Sequence, residues 1–137
     1  MGPEARRLLE IGEEALQRAV DAARVGNYVG DIGCAVQSYC ESAGYSVVRD
    51  LVGHGIGERL HEEPQVPNYG RRGTGMPLQA GMVIAIEPMV NAGDWRVVTL
   101  PDQWTVVTAD RKLSVHFENT VAITENGPDI LTRIDLS

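Results

Sequence analysis

Met82-Val83-Ile84-Ala85-Ile86-Glu87-Pro88-Met89 is an almost unbroken apolar run with one carboxylate near its end. Such a run suits a central strand covered on both faces. The rest of the chain therefore has to supply both the neighbouring strands and the covering layer. The covering layer comes first in the sequence. Pro3 is placed to open a helix, because its missing N–H is not needed in the first turn. Leu8, Leu9, Ala15, Leu16, Ala19, Val20 and Ala23 then form one apolar stripe, which predicts a helix over about residues 4–25. Gly26 suits a left-handed stop. Asp31 is placed to cap a second helix over about 31–43, with Ile32, Ala35, Val36, Tyr39, Cys40 and Ala43 on its apolar face and Gly44 as its stop.

After residue 44 the patterning changes to strands. Short or alternating runs predict strands at about 46–51, 82–89, 95–99, 104–108 and 114–123. The third and fourth are near-copies, Trp95-Arg96-Val97-Val98-Thr99 and Trp104-Thr105-Val106-Val107-Thr108, with Pro101 and Asp102 between them, so they form a hairpin. The expected architecture is a single α+β domain: two helices followed by a mainly antiparallel curved sheet. Glu62 to Gly81 resists assignment. It holds three prolines and four glycines without clear periodicity, and a loop of that length is usually functional or disordered. Its position directly after two histidines favours function.

The chain has 137 residues, enough for a substantial core. A net charge of −7 argues against nucleic acid or an acidic membrane surface as the main partner. No apolar run approaches the roughly 20 residues that cross a membrane. Met1-Gly2-Pro3-Glu4 leads straight into a charged helical pattern, so no signal peptide is expected. Cys34 and Cys40 lie six residues apart on one helix, about 120° around its axis, and should not pair. Two thiols without a disulfide framework suit a reducing compartment, the cytoplasm.

Three segments carry candidate chemistry. Gly53-His54-Gly55-Ile56-Gly57 alternates glycine with other residues, which lets its backbone approach another group closely. It lacks the βαβ setting and the Lys-Ser/Thr of a phosphate cradle. His54 and His61 are seven apart with glycines between them, so they are not a His-Glu-x-x-His zinc helix. A histidine beside glycines is commonly structural, but two histidines followed by Glu62-Glu63-Pro64 favour a site. Glu87, in its apolar strand, must be paired, hydrogen-bonded, protonated or metal-bound, unless it reaches solvent where Pro88 ends the ladder. Alternation in Val115-His116-Phe117-Glu118-Asn119-Thr120-Val121 puts His116, Glu118 and Thr120 on one face. That face either looks at water or at a site. Together His54, Glu87 and Glu118 make a mixed nitrogen and oxygen set for Mn²⁺, Fe²⁺, Co²⁺ or Zn²⁺. Three ligands are too few for two ions, and Asp94, Asp102 and Asp110 lie in turns rather than as a strand-borne pair.

Four motifs in order resemble type I methionine aminopeptidases of the pita-bread fold: Gly53-His54-Gly55-Ile56-Gly57, His61-Glu62-Glu63-Pro64-Gln65-Val66-Pro67, Ile86-Glu87-Pro88-Met89-Val90-Asn91-Ala92-Gly93 and Phe117-Glu118-Asn119-Thr120. The resemblance covers about residues 4 to 133. It implies that His54, Glu87 and Glu118 bind metal, with Glu118 bridging two ions. It further implies that His61 stabilises the tetrahedral intermediate and that Glu87 accepts the nucleophile's proton. Leu60 and Trp104 would contact the methionine side chain. The implied reaction removes the initiator methionine from new proteins. The implied cofactors are two divalent ions in the complete enzyme.

Departures from the family pattern are Leu60 where Phe is frequent, His116 where Gln is common and Asn119 where His is common. The family's two aspartate ligands belong to a first half-fold, and this sequence corresponds to the second, C-terminal half. The resemblance therefore implies a catalytically deficient half that needs an N-terminal half, or a second copy of itself as a homodimer. A non-catalytic self-associating domain and a relative like prolidase or aminopeptidase P are the alternatives.

Overall fold

The computed structural model describes residues 2–49, 52–57, 62–93, 96–99, 106–108, 110 and 112–132, with side chains for all of these except 98, 99 and 106–108. Helix α1 runs Pro3–Ala22 and α2 runs Val29–Ser42. Among the described residues ten strands follow: β1 Ser46–Val47, β2 Gly53–Ile56, β3 Glu62–Val66, β4 Val83–Ile86, β5 Met89–Asn91, β6 Val97–Thr99, β7 Val106–Thr108, β8 Ser114–His116, β9 Asn119–Thr124 and β10 Gly127–Ile130. The expected α+β class holds.

Pro3 opens α1 as its chemistry suggests. The buried stripe is Leu8, Ile11, Ala15, Leu16, Ala19 and Val20, with Leu9 only part-buried. The helix ends at Ala22, three residues before the expected boundary. Side chains close it there: Asn27 Nδ2 donates to the Ala22 carbonyl at 2.9 Å, and Arg24 Nε donates to that of Asp21 at 2.9 Å. These two bonds satisfy carbonyls that the helix itself leaves orphaned. Asp31 is not the residue that precedes α2. It is the third residue of the helix, and its Oδ2 accepts the Tyr28 N–H at 2.6 Å. Its Oδ1 accepts the Gly73 N–H at 3.1 Å, which ties the long connection to the start of α2.

That connection is ordered by backbone bonds along α2. Val29 and Gly30 donate to the carbonyls of Met76 and Thr74, and Leu78 donates to Asn27. Part of the segment expected to be loop is strand, because Glu62–Val66 pairs with β2. Strand β2 itself, and β10, lay outside the expected set. Glycines hid the first and the Gly127-Pro128 turn signal hid the second. Of the expected strand 46–51, residues 50 and 51 lie outside the described residues, and in the rest Ser46 and Val47 pair, opposite Asn91 and Val90. The expected hairpin is present in its described part, with Val97 opposite Thr108 and Thr99 opposite Val106. Trp95 and Trp104 lie outside the described residues.

Among the described residues all pairings are antiparallel. One sheet has the order β10-β9-β4-β2-β3 and a second has β1-β5-β8. Strand β4 is central in the larger sheet, as its apolar sequence requires. Ile84, Ile86, Val121 and Ile123 pack with Leu8, Ile32, Val36 and Val90 in one core. Helix α1 lies close against the junction of the two sheets. A Cβ on Gly12 would stand 2.6 Å from the Phe117 ring and 2.8 Å from Val115, so only glycine fits.

Cys34 and Cys40 are both free thiols, as their spacing requires. Burial, and then the charge of Glu41, pushes the Cys40 thiol up to about 12. Cys40 is therefore a small core side chain rather than a nucleophile. Among the described residues no helix is long and apolar enough to cross a membrane.

Candidate metal centre

The run Met82–Met89 was expected to be one strand, and Ser114–Ile123 another. Each breaks once instead. The first divides into β4 and β5 around Glu87-Pro88, and the second into β8 and β9 around Phe117-Glu118. The two breaks face each other. Ile86 pairs with Asn119 at the end of the larger sheet, and Met89 pairs with His116 at the start of the smaller one. Between these pairs the Phe117 N–H donates to the Pro88 carbonyl at 3.0 Å. Proline explains why the ladder stops here: it has no N–H to continue it. Glu87 and Glu118 thus leave the chain at facing interruptions, where neither is committed to regular strand geometry.

A neighbouring strand delivers His54. On β2 a Cβ at Gly53 would fall on the Ala85 carbonyl and one at Gly55 on that of Glu63. Glycine at both positions lets β2 lie tightly between β4 and β3, with His54 between them opposite Ala85. The pairing with β3 shifts register between His54 and Gly55. Such a bulge re-aims a side chain. His54 Nδ1 lies 3.0 Å from the Gly55 carbonyl, and its Nε2 lies 3.2 Å from Glu87 Oε2. With the proton on Nδ1 and donated to that carbonyl, Nε2 offers its lone pair towards Glu87.

Glu87 is the hub. Its second oxygen, Oε1, lies 3.8 Å from His116 Nε2. Glu87, His116 and Glu118 each present a ligand atom within 4.8 Å of the others. Burial, then a hydrogen bond to Glu118 and the Glu118 charge, pushes the Glu87 carboxyl up to about 7. The physical cause is plain: two carboxylates beside each other in a partly dry site share a proton unless a cation stands in for it. Asn68 holds the hub from behind. It is fully buried, and its Nδ2 donates to the Glu87 backbone carbonyl at 3.0 Å.

Of the residues singled out in the sequence, the structure brings Glu87 beside both His54 and Glu118. Leu60, His61 and Trp104 lie outside the described residues. Two neighbours were not picked as site residues. His116 carried a signal, since it alternates with Glu118 onto one face. Asn68 carried none, because it sits in an aperiodic stretch. The donor set fits a divalent transition ion: oxygens that can bridge and imidazole nitrogens.

The family model of metallopeptidase family M24 matches residues 1–125. The chain belongs to metallopeptidase family M24. This M24 chain is 60% identical over 131 residues to a methionine aminopeptidase of Clostridium perfringens, covering 96% of this chain and 53% of that protein. It superposes on the crystal structure of methionine aminopeptidase from Rickettsia prowazekii with a TM-score of 0.95 at 43% identity, over 97% of this chain and 54% of that one. The likeness to prolidase from Pyrococcus furiosus is looser, with a TM-score of 0.72 at 30% identity, over 98% and 34%. The architecture is thus the one shared by the M24 aminopeptidases and prolidases. The chain spans about half the length of the curated relatives it matches. Membership of M24 implies use of a divalent metal, in keeping with the carboxylate and histidine cluster.

Proposed function

We propose that this chain supplies half of the active site of a methionine aminopeptidase, the half that bears His54, Glu87 and Glu118 as metal ligands. The observation that carries the reading is the pair of facing sheet breaks. They set Glu87 against Glu118 and against the His54 ring in a chain 60% identical to a methionine aminopeptidase. The tighter likeness to methionine aminopeptidases than to prolidase favours a methionine-bearing N-terminus, rather than an Xaa-Pro bond, as the substrate.

Each residue has a role in the hydrolysis. Divalent ions drawn from Mn, Fe, Co or Zn, two in the complete enzyme, would have His54, Glu87 and Glu118 among their ligands and would supply an acidified water and a polarised peptide carbonyl. Glu87 takes the proton of the attacking water as its oxygen adds to the carbonyl carbon. His61 donates to the tetrahedral oxygen. The C–N bond then breaks, and the proton passes to the departing amine. Leu60 and Trp104, outside the described residues, would contact the methionine side chain. Glu118 would hold metal beside Glu87, and the remaining ligands would come from an N-terminal half or from a second copy of this chain. The chain alone is then catalytically deficient, and its setting is the cytoplasm with nascent protein N-termini as substrate.

The test is hydrolysis of Met-Ala-Ser with Mn²⁺ or Co²⁺, measured for this chain alone and after addition of the N-terminal half of a relative. The expected result is no turnover above a Glu87→Gln control alone, and turnover on addition that Glu87→Gln abolishes. Turnover confined to Xaa-Pro dipeptides overturns the substrate assignment.

A further inference from the structure

We infer that His116 is a metal ligand of this chain, completing with Glu87 and Glu118 a compact site for one divalent transition ion. The inference deepens the metal-site reading above and rests on it. His54 and His116 approach different oxygens of the same carboxylate: His54 Nε2 lies 3.2 Å from Oε2, and His116 Nε2 lies 3.8 Å from Oε1. Among the described residues, the one group of three side chains that presents mutually close ligand atoms is Glu87, His116 and Glu118. His54 stands outside that group, on the other side of the Glu87 carboxyl.

The Glu87–His116 distance suits an ion after a modest approach. Two ligands about 2.1 Å from an ion stand about 3.0 to 3.4 Å apart at octahedral or tetrahedral angles. His116 therefore needs to approach Glu87 by about 0.4 to 0.8 Å from its 3.8 Å. Its side chain is 47% exposed, which leaves it room to move. The backbone already sets the direction. The pairing of Met89 with His116 holds the end of β8 beside the Glu87 break, and Glu118 is two residues further on. A histidine at this place also changes what the site prefers. Adding an imidazole to two carboxylates favours Zn²⁺ and Co²⁺ over Mn²⁺, because nitrogen donors raise affinity along the divalent series. Glutamine, of similar reach, has no such nitrogen lone pair, so His116→Gln removes the ligand while keeping a polar side chain.

The experiment titrates the metal-free chain with Zn²⁺, Co²⁺ and Mn²⁺ separately by calorimetry, and follows the Co²⁺ visible absorption spectrum. The variants are His116→Gln, His116→Ala, His54→Ala and Glu118→Ala. Thermal unfolding without metal shows whether each variant folds. His116→Gln is expected to weaken Zn²⁺ binding at least tenfold, to weaken Mn²⁺ less, and to alter the Co²⁺ spectrum, with metal-free unfolding close to the parent. Imidazole resonances of His116 should shift on Zn²⁺ addition. Parental Zn²⁺ affinity and Co²⁺ spectrum in both His116 variants, with binding lost in Glu118→Ala, overturn the inference and leave the ligand set of His54, Glu87 and Glu118 standing. Binding unchanged in every variant, Glu118→Ala included, overturns both.

Discussion

The two antiparallel runs β4–β5 and β8–β9 contain two kinds of region side by side. In the ladder between β4 and β9, Ile84, Ile86, Val121 and Ile123 are buried and every position is set by pairing and packing. At the break a few residues away, pairing stops and two glutamates emerge. The ladder has one solution, because slipping it by a single residue would turn its apolar side chains outward. The break is held by different means: one backbone bond from Phe117 to Pro88, and the Asn68 amide on the Glu87 carbonyl. The comparison teaches that the apolar ladder positions the break, while the break alone holds the chemistry. Stability and metal binding should therefore respond to different substitutions.

The largest effect on stability is expected in the ladder. Ile123→Ala removes a side chain that is 1% exposed and should cost about 2–5 kcal/mol in urea unfolding. Metal affinity of the folded protein should barely change. An equal loss in both would erase the distinction between the two regions. The converse substitution is Glu87→Gln. It should lower Mn²⁺ or Zn²⁺ affinity by about 100-fold, roughly 2.7 kcal/mol. Metal-free unfolding at pH 8 should show no loss of stability, because the repulsion with Glu118 is gone. A clear drop in melting temperature for this variant would mean that the carboxylate belongs to the framework after all.

Asn68 lies between the two regions and sharpens the contrast. Asn68→Ala removes the donor to the Glu87 carbonyl and should cost about 1–3 kcal/mol. Its metal affinity should fall by less than that of Glu87→Gln. The smallest effect is a pH dependence. In the metal-free chain the Glu87 carboxyl is raised from its ordinary 4.5 to about 7. The folded state then holds this proton more tightly than the unfolded state. Its stabilising contribution is complete below about 4.5 and is lost as pH rises through about 7. Glu87→Gln should flatten the stability profile in that window. Bound metal should oppose the trend, because the ion needs the ionised carboxylate. A parental profile unchanged by Glu87→Gln would assign the slope to other groups.

Much of the fold could be read from local patterning. The stripe of α1, the central apolar strand and the Val97–Thr99 hairpin with Val106–Thr108 all follow from spacings of two, three or four residues. The errors cluster where glycine or proline interrupts those spacings. Gly53 and Gly55 hid β2, and Glu63-Pro64 hid β3 inside a presumed loop. Helix ends were displaced where a side chain from outside did the capping, as Asn27 does for Ala22.

The sequence by itself determined that this is a helix-covered antiparallel sheet, that Glu87 is a carboxylate in unusually apolar company and that Glu118 shares a strand face with His116. Side-chain type and short-range periodicity are enough for that, because burial of an apolar stripe follows from residues a turn or a pleat apart. Only the tertiary structure decided that the two strands break opposite each other and that Asn68 lies behind Glu87. It also decided that His54 and His116 address different oxygens of the one carboxyl. Those relations depend on the register of β4 with β9 and of β5 with β8, which join residues 23 to 39 positions apart. No local spacing encodes such a register. It is set when the whole core packs and each apolar side chain finds its place inside.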